Sequence, residues 1–411
     1  MQGNTRWMAL LGALAAMTAA LTSGARAQSV TGNWTFDDTF EGTIGAPLEV
    51  VNGTWRFEDA LINGQPARVA HFAAMTGNDK LIVRHGIPGN GGGYYPNQFT
   101  IIMDVLFPSD TGNPNNTPNG WVALYSTNYD TYNDADWYIN RSGGLGINGD
   151  YSDAGNPLRL ARDRWQRIAL VVDLTQAYSF RSYIDGQLQN WVQSIGAARD
   201  GRFALYSTLD PWPWFLLFTE PTGLYTSQGY INNLQVRNYA MSDAEIAALG
   251  GPTAGPIPIP GVFLSGTLTL ENVAPTAPLQ AINFNLRPTD ASGMNPVAAM
   301  VGPDGAFRIN VPASVYDLNI RGLRYLGTNL TGIDASSGDV HGLTALLKAG
   351  DADYSNIVDV LDLDRLIRGF DVSIGTNEYL ANFGADFNAD GAIDVLDLDI
   401  LISNFDLSGD D

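Results

Sequence analysis

From residue 30 to residue 250, apolar and polar positions alternate in short runs that stop at Gly, Asn, Asp or Pro. "FTIIMDVLF" (99–107), "WQRIALVVDL" (165–174) and "SFRSYIDGQL" (179–188) are such runs. A two-residue period is the mark of a strand with one face buried. The Asp-Gly pair in the third run predicts a hairpin turn. "INNLQVRNYAMSDAEIAALG" (231–250) reads as a strand and then a short helix. Ser242 caps that helix, Glu245 completes a capping box, and Gly250 ends it. Many short strands between turn residues predict a two-sheet antiparallel sandwich over residues 28–250.

"GPTAGPIPIPG" (251–261) follows, and its alternating prolines predict a semi-rigid linker between domains. Strand-like alternation resumes in "VFLSGTLTL", "QAINFNLRP", "GAFRINVP" and "VYDLNIRG". Residues 262–347 therefore read as a second, smaller, immunoglobulin-like sandwich. From residue 348 the period changes. Leu363, Leu366, Ile367 and Phe370 have helical spacing, and Leu398, Leu401, Ile402 and Phe405 repeat it. The repeat is nearly literal: "VDVLDLDRLIRGF" (358–370) returns 35 residues later as "IDVLDLDILISNF" (393–405). The expected class is mainly β, with a small α-helical module at residues 348–411.

Composition narrows the chemistry. With no cysteine, disulfides, thiolate metal sites and cysteine nucleophiles are excluded. The three histidines, at 71, 85 and 341, are scattered, which argues against a His-rich metal site. A net charge of −21 argues against nucleic acid or an anionic membrane as partner. Residues 351–411 hold fifteen Asp and Glu against two Arg, more than half of that excess, and such a local excess asks for a cation. At the other end, Arg6, the apolar run 8–21 and "ARA" at 25–27 have the form of an export signal. Residues 1–27 are expected to be removed and the mature chain to be secreted, extracellular or associated with a cell surface. No later run is long enough for a membrane helix.

The acidic segment has metal-ligand spacing. "DFNADGAIDVLD" (386–397) puts oxygen side chains at positions 1, 3, 5, 9 and 12 of a twelve-residue loop: Asp386, Asn388, Asp390, Asp394 and Asp397. The Ala392 carbonyl stands at position 7, and Gly391 allows the sharp turn at position 6. "DADYSNIVDVLD" (351–362) matches with Asp351, Asp353, Asp359 and Asp362, the neutral oxygen of Ser355 at position 5 and the Ile357 carbonyl at position 7. Two Ca²⁺ sites are expected, the second stronger. Both loops end in Asp at position 12, where a calcium-sensor EF-hand has Glu.

A tandem of D-x-[DN]-x-x-x-x-[VI]-D-x-x-D loops, each followed by a short helix, resembles a dockerin. The resemblance covers about residues 350–407. It implies two F-hand calcium loops and a cohesin-like partner that attaches the host to a larger assembly. It also implies partner contacts at loop positions 10 and 11, which here are Val360, Leu361, Val395 and Leu396. Dockerins of the best-studied type carry small hydroxylated residues there, so an apolar contact is expected instead. The same Val-Leu pairs also fit a role in packing the two halves together.

"WTFDD" (34–38), "DRWQRIALVVDL" (163–174), "YIDGQ" (183–187) and the closing strand and helix resemble the concanavalin A-like, laminin G-type jelly roll. That resemblance implies a non-catalytic module for a glycan, such as a polysaccharide, or a protein ligand. Trp212 and Trp214, between prolines, and Trp137, in an aromatic Asp/Asn-rich stretch, are the candidate glycan contacts. Trp34, Trp121 and Trp165 fall in strand patterns as core. The middle sandwich resembles the carboxypeptidase regulatory-like group, from "SGTLTL", "PDGAFRINVP" and "VYDLNIRG", which implies a spacer or adhesion module. Two rivals stay open. One is a dockerin-tethered glycoside hydrolase, which needs a pair of carboxylates; the chain has no E-x-D-x-x-E run, and "DADW" (134–137) is the nearest pairing. The other is a structural surface protein with no docking partner.

Overall fold

The computed structural model describes residues 29–109, 121–127, 135–147, 150–151, 158–193, 198–210, 213–289 and 296–411. The expected export signal and Trp212 lie outside the described residues. Two large sheets form the first sandwich. The eight-stranded sheet runs Gln187–Gln193, Tyr178–Ile184, Gln166–Asp173, Gln98–Leu106, Gly229–Arg237, Gln65–Phe72, Trp55–Ile62, and Val30–Trp34 also pairs with Gly229–Arg237. The seven-stranded sheet runs Asp150–Tyr151, Leu145–Ile147, Trp137–Ile139, Val122–Ser126, Trp214–Leu217, Lys80–Arg84, Glu49–Val51. All of these pairings are antiparallel, as expected of a two-sheet antiparallel sandwich.

Alternation decides the layers. Phe99, Ile101, Met103 and Val105 enter the core between the sheets, while Ile102 on the opposite face packs with Val171, Tyr183 and Ile246. Ile246 belongs to helix α1 (Asp243–Leu249), whose capping box at Ser242 and Glu245 is formed as expected. Buried Arg167 makes a bidentate pair with Asp104, at 2.7 and 2.8 Å, and donates to the Leu249 carbonyl, fastening the helix end to the sheet. Asp185 and Gly186 both have positive φ, the condition for a tight two-residue hairpin between Tyr178–Ile184 and Gln187–Gln193.

The linker departs from expectation. Instead of spanning free space, it is strapped along strand Gly229–Arg237. Asn233, Gln235 and Arg237, on one face of that strand, donate to the carbonyls of Gly255, Ile257 and Pro258. Asn63 and Asn232 hold Pro252 and Thr253 in the same way. Proline has no N–H and cannot build a β-ladder, but its carbonyl still accepts. Side-chain amides and the Arg237 guanidinium replace the missing ladder, and the strap's own Ile257 is fully buried, packed in the cluster with Ile102 and Ile246.

The second sandwich packs a three-stranded sheet (Ala306–Val311, Val262–Leu270, Val340–Leu347) on a four-stranded one (Val297–Val301, Gln280–Pro288, Val315–Gly322, Thr328–Asp334). Val340–Leu347 runs parallel to Val262–Leu270. In the turn before Ala306–Val311, Gly305 has a φ of 72°, and a Cβ there would fall 1.8 Å from the Leu268 carbonyl oxygen. Val30, Thr208 and Asn238 of the first sandwich bond to Asn310, Asn283 and Pro296 of the second.

The C-terminal module contains α2 (Val360–Arg368), α3 (Asn377–Asn382) and α4 (Val395–Ser403). Short strands Val372–Ser373 and Ala392–Ile393 pair beside them. One apolar cluster runs from Ile282, Phe284 and Leu318 through Tyr325, Leu347 and Ala349 to Val358, Leu366, Phe387, Ile393 and Leu401. The second sandwich and the C-terminal module thus share a core across the sequence boundary at 347/348.

Candidate metal centre

Each acidic loop folds around its own carboxylates. In the first, Asp351 Oδ1 accepts from the Ser355 amide at 2.9 Å and Oδ2 from the Asn356 amide at 2.9 Å. In the second, Asp386 Oδ1 accepts from the Asp390 amide and Oδ2 from the Gly391 amide, both at 3.2 Å. Position 4 has positive φ in both loops (Tyr354 and Ala389), as does position 6 (Asn356 at 73°, Gly391 at 92°). Asp359 and Asp394, at position 9, cap α2 and α4. Asp362 and Asp397, at position 12, are the reciprocal partners in those capping boxes and also accept amides from the loop start. The ligand spacing and the helix start are therefore one piece of local structure.

Asp351, Asp353 and Asp362 present carboxylate oxygens within 4.8 Å of one another. Asp351, Asp362, Asp386 and Asp397 are almost wholly buried. Burial pushes the Asp362 and Asp397 carboxyls up to about 6. It raises Asp351 and Asp386 too, against the opposing pull of Arg321 and Arg324 respectively. Buried carboxylates held mainly by amides are short of positive charge. An all-oxygen donor set of this kind fits a hard divalent cation. Ser355 and Ile357 place the hydroxyl and the carbonyl 3.1 Å apart, and Asn388 and Asp390 bond at 2.9 Å, so positions 3, 5 and 7 are drawn into the same loops. Ala392 donates its amide to Asp390 Oδ1.

The Val-Leu pairs face outward. Val360 and Leu361 are 65% and 57% exposed, Val395 and Leu396 64% and 55%. They do not pack the halves together; Leu366, Ile400 and Leu401 do. Ile367 and Ile402, expected from their spacing to face inward, are instead 62% and 63% exposed, one on each helix at equivalent positions. A nine-residue helix has room for only a narrow buried stripe.

The jelly-roll candidates fare differently. Trp137 is 1% exposed, with its indole N–H on Ser182 Oγ at 3.0 Å, so it is a core residue and not a glycan contact. The seven-stranded sheet runs through it and turns its ring toward the opposite sheet. Trp214 opens a strand and is partly buried. In "DADW", Asp136 is buried and accepts from the Thr127 amide and hydroxyl, which commits it to structure. Trp34 is fully buried as expected.

Arg321, outside the motif, and Asn356, at its glycine position, tie the first loop to its surroundings. Arg321, on strand Val315–Gly322, reaches Asp351 Oδ2 at 2.5 Å and lies over the Tyr354 ring, 3.8 Å from its centroid. Asn356 accepts from the Gly327 amide at 2.8 Å and donates to the Asp410 carbonyl at 3.0 Å. Asn356 at the glycine position marks this cross-module contact. Arg321 carries no local signal, because its partner is 30 residues away.

No family model matches the chain, and no curated protein matches it. Among solved structures, a type II cohesin–X–dockerin complex from Acetivibrio cellulolyticus aligns at 22% identity over 36% of this chain and 98% of that chain, with a TM-score of 0.30. Domain 4 of an extracellular arabinanase from Geobacillus stearothermophilus, in complex with arabinotriose, aligns at 14% identity over 55% and 100%, with a TM-score of 0.35. A sialidase carbohydrate-binding module from Ruminococcus gnavus, bound to α2,3-sialyllactose, aligns at 19% over 38% and 83%, with a TM-score of 0.28. All three scores lie below 0.5, and the functional reading rests on the residues and their geometry. Among the described residues, no helix is long and apolar enough to cross a membrane.

Proposed function

We propose that the chain is an exported, non-catalytic modular protein whose C-terminal module binds two calcium ions and docks a cohesin-like partner. The observation that carries this reading is a duplication. Two buried oxygen loops each launch a helix, and each helix presents the same exposed apolar set: Val360, Leu361 and Ile367, then Val395, Leu396 and Ile402. Exposed apolar side chains repeated at equivalent positions on two helices favour an interface.

Calcium, when bound, supplies the positive charge that the buried carboxylates lack. Asp351, Asp353, Ser355, Asp359, Asp362 and the Ile357 carbonyl would hold the first ion. Asp386, Asn388, Asp390, Asp394, Asp397 and the Ala392 carbonyl would hold the second. The protein's own contribution is to fix the start of each helix and hence the spacing of the two apolar sets. The jelly roll is the cargo that the docking unit presents, with a glycan or protein as its ligand.

Capture of the partner from the native secretome tests the reading. Wild-type protein should retain a cohesin-like protein in calcium and release it in chelator. The double variant Val360→Asp/Val395→Asp should retain little of it while binding calcium normally. Equal capture by wild type and the double variant would remove the proposed face.

A further inference from the structure

The two loops carry equal numbers of carboxylates: Asp351, Asp353, Asp359 and Asp362 against Asp386, Asp390, Asp394 and Asp397. A count of charges therefore does not rank them. The neighbour of the position-1 aspartate does. In both loops that aspartate is oriented by the same two amides, and in both a third donor reaches Oδ2. In the second loop this donor is the neutral Tyr379 hydroxyl at 2.7 Å. In the first it is the Arg321 guanidinium at 2.5 Å, from a strand of the neighbouring sandwich. Arg324 also lies near Asp386, but its hydrogen bonds go to Gln280 and the Phe383 carbonyl.

Resting on the calcium reading above, we propose that Arg321 sets the affinity of the first loop. Its fixed charge neutralises Asp351 from outside, assembles the loop against the sandwich before metal arrives, and repels the incoming cation. A partner outside the coordination sphere acts in two opposing ways. Orienting a ligand tightens binding, and adding like charge beside the metal weakens it. Orientation is already provided by the Ser355 and Asn356 amides, so the charge decides. Arg321 is a positioning residue; at the second loop the third donor is the neutral Tyr379 hydroxyl, and the Arg324 charge reaches Asp386 only through space.

The test is a calorimetric calcium titration of the full chain carrying Asp390→Ala, an exposed ligand-position change that silences the second loop. Adding Arg321→Met should tighten the remaining site roughly tenfold. Arg321→Gln, which keeps a donor to Asp351 without the charge, should do the same, and Arg321→Lys should leave the affinity near that of the parent. In chelator, Arg321→Met should melt earlier than the parent, and saturating calcium should close most of that gap. If the Met and Gln variants bind calcium no tighter than the parent, the role of Arg321 is overturned while the loops stand as calcium sites. If Arg321→Met melts earlier by the same margin with and without calcium, Arg321 is only interface packing. If the wild-type chain gives no calcium heat at all, the calcium reading falls and takes this inference with it.

Discussion

His85 is buried without exposure in the jelly roll, stacked on Phe215, with Nδ1 accepting the Ile87 amide at 3.1 Å. Burial lowers its pKa from 6.5 to about 3. The unfolded chain takes up a proton below 6.5 that the folded chain refuses, so stability is full above 6.5 and falls as the pH drops below it. The slope is about 1.4 kcal/mol per pH unit. His85→Asn keeps the acceptor and removes the titration. Between pH 6.5 and 5.0 the variant's jelly roll should lose about 2 kcal/mol less than wild type in denaturant melts; parallel losses would contradict this. Single residues were unevenly legible. The hydrogen-bonded turns of the two acidic loops follow from spacing, because in each the oxygens come from one continuous segment. Trp137 was misread because a Gly/Asn-rich neighbourhood says nothing about which way a strand turns its ring. Asn356 stands where a calcium loop favours glycine, and its side chain is occupied across a module boundary that the local sequence does not record.

Helices α2 and α4 begin on residues with two duties. Asp394 caps α4 through the Leu396 amide at 2.8 Å and is also one of the proposed calcium ligands. Asparagine caps about as well as aspartate but brings no charge. Asp394→Asn should therefore change the chelator-treated stability by less than about 0.5 kcal/mol. The same change should weaken calcium binding in the second loop by roughly tenfold or more. Asp394→Ala, which loses cap and ligand together, should cost about 1 kcal/mol even in chelator. Should Asp394→Asn bind calcium as wild type does, position 9 is a cap alone. At this scale the sequence was a good guide to strands, hairpin and helix starts, since period and turn residues act locally. It failed for the strap. Alternating prolines do forbid a ladder, but nothing in the local pattern tells that Asn233, Gln235 and Arg237 donate to the carbonyls of that segment.

Among the described residues two apolar clusters are the largest, one inside the first sandwich and one shared by the second sandwich with the C-terminal module. Heating the full chain in calcium should give two transitions. Chelator should lower the shared unit's transition and leave that of the jelly roll in place. A third, separate transition for residues 348–411, or movement of the jelly-roll transition, would contradict the shared core. The boundary at 347/348 looked like a domain edge because the apolar period changes there from two to 3.6. A change of period marks a new element type, and only tertiary contact decides whether the core continues through it.

The strap has a mechanical consequence. A linker of eleven residues would ordinarily let one domain swing about another, and one end of the molecule would sweep a volume around the other. Here that length of chain is already laid down along Gly229–Arg237, leaving little slack to pull. A partner gripping Val360 or Val395 would hold the jelly roll as a handle holds a blade, at one angle, and tension on either end would load the Asn, Gln and Arg side chains before it stretched the prolines.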